Sequence, residues 1–204
     1  MQTHLNYPEL MTMEQSKRAH LINSVGGFKS VCLIGTTDNP GNTNLGIFSS
    51  IVHIGTNPPL ICFIMRPDSV ERHTLSNILE TGVYTINHIN KNIYRQAHQT
   101  SARYPKNISE FDATGLAKEY KNDFKAPFVK ESMIQLGVNF KEHIDLTINN
   151  TIMVIGEINQ LYFPDDCLCD DGYLDIEKAG TISCTGLDSY HTTQRLQRLN
   201  YAKP

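Results

Sequence analysis

Residues 133–163 constrain the fold most. Met133–Asn149 and Thr151–Phe163 read as two long strands, and the pair Asn149-Asn150 between them is a good hairpin signal. Upstream, Ser30-Val-Cys-Leu-Ile-Gly-Thr36 is a strand rich in β-branched residues that ends at the turn Asp38-Asn-Pro-Gly41. A second strand region runs from Thr43 to Ile54, Asn57-Pro-Pro59 breaks it, and Leu60–Arg66 forms a continuous apolar third strand. Val83–Ile89 reads as another. Three helices are expected. Met13–Val25 starts at a capping box with Thr12 as N-cap and Gln15 reaching back, and Gly26-Gly27 closes it. Thr74–Glu80 ends before Gly82, and Asn92–Gln99 forms the third. Residues 101–131 lack a period and read as an Ω-like excursion or a functional lid. Asp165–Pro204 reads as a tail with an acidic patch, a weak strand or helix near Tyr173–Ile176, and a basic terminus. Strands dominate, and the helices are inserted without strict βαβ alternation. The predicted class is therefore mainly β with peripheral helices, a barrel or strongly curved sheet, and not a doubly wound fold.

The 204 residues suit one sizeable domain, and with no internal repeat a single domain over 1–204 is the economical reading. The net charge of −3 implies no general affinity for nucleic acid or anionic membrane, so any basic site must be local. Met1–Leu10 lacks the basic start and apolar run of a secretory leader, and no apolar stretch has the roughly 18–20 residues of a spanning helix. Of the five cysteines, an odd number, Cys32 and Cys62 sit inside apolar runs, where reduced cysteine behaves as a small hydrophobe. That pattern fits a cytoplasmic location, where the formal sequons at Asn107 and Asn149 carry no glycan.

Several chemistries are missing from the pattern. No Gly-x-Gly-x-x-Gly follows a strand, no Gly-Lys-Ser/Thr loop occurs, and Gly41-Asn-Thr-Asn-Leu-Gly46 lacks the lysine a phosphate loop needs. No Gly-x-Ser-x-Gly elbow is present. A calcium loop at Asp165–Gly172 fails because Cys167 and Cys169 stand where oxygen ligands belong, and Cys167-x-Cys169 has no second pair for zinc. No metal site is expected.

The informative block runs from Thr43 to Thr74. In it, Gly46 lets a ligand approach the backbone, and Ser49 and Ser50 would alternate across a strand. Arg66 or Arg72, with His73 and Thr74 at a helix start, would make a compact anion site, since arginine grips phosphate bidentately and helix N-termini favour negative charge. Asn44 lies five residues ahead of Ser49-Ser50, Pro58-Pro59 precedes a strand, and Thr74 opens a helix leading to Asn77-Ile78 and Gly82. In this order and spacing, continued by Ser109-Glu-Phe111, Ala126-Pro127, Gly156-Glu157 and Gly186-Leu-Asp-Ser-Tyr190, the chain resembles the flavin reductase-like, FMN-binding split-barrel family.

The resemblance implies a Greek-key split barrel that binds FMN, a homodimer with flavin sites near the interface, and NAD(P)H-linked reduction of flavin or another small acceptor. A flavoredoxin-like carrier, reduced by a protein partner, is the alternative it leaves open. The implied FMN-binding set is Asn44, Gly46, Ile47, Phe48, Ser49, Ser50, Arg66, Arg72, His73, Thr74, Ser101 and Tyr190. Ser101-Ala-Arg103-Tyr104 would reach or cover the flavin, or form a dimer contact. Tyr190 would lie near the flavin or belong to a packing tail. His53, His88 and His98 read as core histidines, whereas His73 is flanked by Arg72 and Thr74. Hydride transfer to a flavin needs no protein acid or base, so no catalytic side chain is expected.

Overall fold

A computed structural model describes residues 1–67 and 73–203. The N-terminal half contains α1 (Tyr7–Thr12), α2 (Gln15–Val25), β1 (Lys29–Ser30), β2 (Cys32–Thr37), β3 (Thr43–Phe48), β4 (Val52–Thr56) and β5 (Pro59–Met65). There follow α3 (His73–Thr81), β6 (Val83–His88), α4 (Tyr94–Gln99), α5 (Glu110–Thr114), β7 (Lys118–Glu119) and β8 (Phe128–Val129). The chain ends with β9 (Gln135–Leu146), β10 (Thr151–Tyr162), β11 (Ser183–Thr185) and β12 (Ser189–His191).

The expected hairpin is the spine of the fold: β9 and β10 pair antiparallel from Thr151↔Leu146 to Tyr162↔Gln135, and Asn150 takes the left-handed backbone of the turn at φ 57°. Around it, seven strands order as β3-β2-β6-β9-β10-β5-β4, every neighbouring pair antiparallel. The edges of this sheet are consecutive in sequence. In a flat sheet six strand spacings would hold them roughly 29 Å apart. The short link from Phe48 to Val52 spans at most about 14 Å. The sheet must therefore curl until β3 and β4 approach, which makes a barrel left open between two edges that are not paired to each other. This is the split barrel.

The link is itself fastened. The Ser50 hydroxyl accepts from the Ile64 amide at 3.0 Å and donates to the Ile64 carbonyl at 3.1 Å, taking the place of one more rung beside β5. Ser30 Oγ donates to the Ile51 carbonyl at 2.9 Å. The sequence pattern suggested one strand over Thr43–Ile54; the chain instead leaves the sheet at Ser49, because it has to cross between edges.

Strand alternation distributes the core over both faces. Cys32 and Ile34 of β2 pack with Phe63, Tyr84, Val138 and Val154, while Leu33 packs outside with Leu45, Ile89, Phe111 and Ile182. All six residues of β2 are buried. Residues 101–131 are not structureless: Phe111, Ala126, Phe128 and Val129 are fully buried, and Thr85 Oγ1 donates to the Pro127 carbonyl at 2.7 Å.

Three local expectations change. The expected first helix is present as α2, but it is capped by Glu14 and not Thr12, and a short extra helix precedes it. Asn6 and Glu9 form a reciprocal capping box that starts α1, Thr12 ends it by donating to the Glu9 carbonyl, and the Glu14 side chain caps α2. Asn6-Tyr-Pro-Glu9, with proline in the first turn, was the stronger start signal. His53 is exposed on β4, an edge strand among the described residues, and His98 is exposed on α4; neither is a core histidine. In the tail, β11 and β12 join β1 in a small sheet, whereas Tyr173–Ile176 holds only the isolated bridge Leu168↔Leu174. Beyond β12 the chain has no regular structure among the described residues. It is held by Arg195 paired with Asp175, by Arg198 paired with Asp171, and by both guanidinium groups over the Tyr173 ring, at 5.7 and 4.1 Å. Leu196, Leu199 and Tyr201 remain exposed.

Two measurements follow. Ser50→Ala removes both bonds to Ile64 and should lower unfolding stability by about 1–3 kcal/mol in denaturant titrations. His88, half-buried beside the Thr181 hydroxyl at 3.1 Å, has its pKa pushed down to about 4 by desolvation. The unfolded chain, with a His pKa of about 6.5, takes up a proton that the folded chain refuses, so stability falls as pH drops from about 6.5 to about 4. His88→Gln should flatten the slope of stability against pH in that window.

Candidate functional site

β3 is the wall on which the expected site residues meet, and its alternation divides them. Asn44, Gly46 and Phe48 face α3. Asn44 Nδ2 donates to Thr74 Oγ1 at 2.9 Å, and Asn77 Nδ2 donates to Thr36 Oγ1 at 3.1 Å, so small polar side chains dock the start of α3 on β2 and β3. A Cβ on Gly46 would lie 3.1 Å from the Phe48 ring and 3.5 Å from Thr74 Oγ1. The side-chain face of Gly46 is thus covered by its neighbours, and the glycine serves close packing there. Phe48 continues inward, edge-on to Phe63 at 5.1 Å. His73, at the first position of α3, borders a small polar cleft with Asn44, Asn77, Lys106 and Glu110.

Ile47 points the other way, into a cluster with Tyr94 and Tyr190. Tyr190 OH shares a hydrogen bond with His98 Nδ1 at 2.8 Å, and its ring sits 5.6 Å from that of Tyr94. Burial pushes the Tyr190 pKa up to about 12, so it is a neutral phenol at physiological pH. Tyr94, Arg95, His98, Asp188 and Tyr190 line a cleft of about 350 Å³, a volume in the range of small-molecule sites. Ser101 lies nearby in sequence, its hydroxyl donating to the His98 carbonyl at 2.7 Å.

Between these two sides runs the outer edge of β3, which has no strand beside it among the described residues. The Leu45 amide points away from β2, since it donates to Glu110 Oε2 at 2.9 Å. Antiparallel alternation turns the backbone groups of Thr43 and Ile47 outward too. The Thr43 hydroxyl shares a hydrogen bond with Ser109 Oγ at 2.8 Å. Burial raises the Glu110 carboxyl above the ordinary carboxylate range, against the lowering influence of the Leu45 amide, its own amide and His73.

The remaining expected residues fall elsewhere. Ser49 and Ser50 lie past the end of β3 and do not alternate across it; Ser50 is bound to Ile64, and the Ser49 hydroxyl contacts the Cys184 thiol. Arg66 is exposed just after β5. Arg72 lies outside the described residues. Sequence reasoning missed Tyr94, Arg95 and Asp188 in the aromatic cleft and Glu110 on the strand edge. The spacing of Tyr94 and His98, four apart on one helix face, was a signal for the first of these. Nothing local marked the Thr36–Asn77 contact, which joins residues 41 apart.

Residues 25–176 match the flavin reductase like domain family. The chain is 52% identical, with a TM-score of 0.95, to the crystal structure of a candidate flavin reductase with a split barrel domain from Shewanella frigidimarina NCIMB 400; the alignment covers 98% of this chain and 100% of that one. Nitrilotriacetate monooxygenase component B from Bacillus cereus aligns at 20% identity and a TM-score of 0.83, over 98% and 99% of the two chains. Flavoredoxin of Desulfovibrio vulgaris (Miyazaki F) aligns at 22% identity and 0.74, over 86% and 92%. At those lower identities the likeness establishes a shared fold. With most of its length matched, the chain belongs to the flavin reductase-like domain family.

Proposed function

We propose that the chain is an FMN-binding oxidoreductase that uses NAD(P)H to reduce flavin, or another small acceptor through bound FMN. In this reading residues 1–204 act as one domain, paired as a homodimer. The observation that carries it is the unpaired outer edge of β3 at Ile47, set between the hydroxyl- and amide-lined start of α3 and the aromatic cleft at Tyr190. Family membership and the 52% identity to a candidate flavin reductase support it.

The residues present suit such a cofactor. A flat heteroaromatic ring with donors and acceptors along one edge is matched by an unpaired strand edge, which offers backbone N–H and C=O groups in register. A phosphate is matched by the first turn of α3, where His73 and Thr74 stand beside Asn44. Arg66 and Arg72 belong to the same proposal as candidate phosphate-binding cations. The outward backbone groups of Ile47 would set the ring height along the edge, with Phe48 and Ser49 supporting it from behind and at its end, and Tyr190 and Ser101 would bound the far side. Bound FMN supplies a ring that accepts a hydride and releases electrons singly or in pairs. The chain's own part is to bind, orient and shield; no side chain is assigned a proton.

Among the described residues no helix is long and apolar enough to cross a membrane. The five cysteines are free thiols, which suits a reducing compartment such as the cytoplasm.

Steady-state oxidation of NADH and NADPH with added FMN tests the reading: turnover is expected with at least one nucleotide. Tightly held FMN without turnover would make the protein a carrier, and a colourless protein that leaves flavin fluorescence unquenched would remove the cofactor. Thr74→Val should weaken FMN about tenfold more than riboflavin, because only FMN carries the phosphate; equal weakening of both would move the phosphate elsewhere.

A further inference from the structure

The outer edge of β3 is not left wholly bare. Two consecutive residues at the start of α5 hold its first half: Ser109 Oγ shares a hydrogen bond with Thr43 Oγ1 at 2.8 Å, and Glu110 Oε2 accepts the Leu45 amide at 2.9 Å. Phe111, the next residue, is fully buried in the cluster that also contains Leu45, so helix and strand edge are locked by packing as well as by hydrogen bonds. Two residues further along the strand, Ile47 turns the next outward backbone groups to the open part of the edge.

We infer that Glu110 is a positioning residue for the flavin ring: its carboxylate clamps the Leu45 amide to α5 and so fixes the height and angle at which the Ile47 backbone meets the ring edge. This deepens the flavin reading and rests on it. An edge strand is tied to the sheet on one side only, so its outward groups keep their geometry only if something on the outside holds them. A half-buried carboxylate does this well, because a charge-assisted bond to an amide is stronger than a neutral one. Glu110 faces His73 from α3, Lys106 from the loop before α5 and Asp38 from the turn after β2. Lys118 of β7 reaches Thr43 Oγ1 from the same side at 3.4 Å.

The test compares wild type, Glu110→Ala and Glu110→Gln for affinity toward lumiflavin, riboflavin and FMN, by fluorescence quenching. Glu110→Ala should weaken all three by a common factor of about tenfold, since the ring is what the three share. Glu110→Gln keeps an acceptor oxygen and should stay within about threefold of wild type at pH 7.5. As pH falls and the raised Glu110 carboxyl protonates, wild-type affinity for lumiflavin should fall to the Glu110→Gln level, by at most about threefold, and Glu110→Gln should lack that fall. Unchanged lumiflavin affinity in Glu110→Ala, or a loss confined to FMN, would overturn the inference. If Glu110→Ala fails to fold, the Glu110→Gln profile decides, and an acid drop matching wild type refutes the positioning role. Absence of any flavin binding by wild type would overturn the flavin reading, and this inference with it.

Discussion

The crossing at Ser49–Ile51 is the constraint on which the rest depends. A seven-stranded antiparallel sheet whose edge strands are joined by a few residues cannot stay flat, and the right-handed twist of strands gives it a direction in which to curl. Closure by hydrogen bonding would have removed both edges; here the two edges are joined through the link itself, and the Ser50 hydroxyl fastens that link to β5 by binding both backbone groups of Ile64. The barrel is therefore crossed by the covalent link at one end, and β3 and β4 are not paired along the seam among the described residues. An open seam leaves a row of backbone donors and acceptors on β3, the feature that proteins usually cover.

What covers that row differs along its length. At Thr43 and Leu45 it is protein, through Ser109 and Glu110; at Ile47 no partner strand lies beside it among the described residues. The same strand separates two chemically distinct environments, a small polar one against α3 and an aromatic one against α4 and β12. A period of two suffices for this, because neighbouring residues on a strand face opposite sides. One short segment can therefore offer side chains to two environments and its backbone to a third direction.

The strand content, the long hairpin and the absence of βαβ alternation were legible because they rest on local chemistry: Asn149-Asn150 at a turn, β-branched runs, and Pro and Gly at breaks. The family resemblance was legible in the Asn44–Thr74 block for the same reason, as residue types in a fixed order. The path of the chain after Phe48 was not. Ser49, Ser50 and Ile51 look like strand residues, and only the strand order of the finished sheet makes them a crossing. The pairing of β11 with Lys29–Ser30 was likewise hidden, since it joins segments more than 150 residues apart. Side-chain destinations were the least readable. Ser50 was expected beside a ligand and is bound to backbone, while Glu110 was noticed only as part of a motif and reaches the strand edge.

The C-terminal arm is attached by two kinds of force that answer differently to the solvent. Its ion pairs, Arg195 with Asp175 and Arg198 with Asp171, lie at the surface, where electrolyte shortens the reach of charge to about 8 Å at physiological strength and about 3 Å at 1 M. The guanidinium faces against Tyr173 depend partly on dispersion and on shedding water, and added electrolyte weakens them less. Dilute buffer thus fastens the arm twice and brine only once. How far Leu196, Leu199 and Tyr201 can wander from the barrel is set in part by the medium and not by the fold alone.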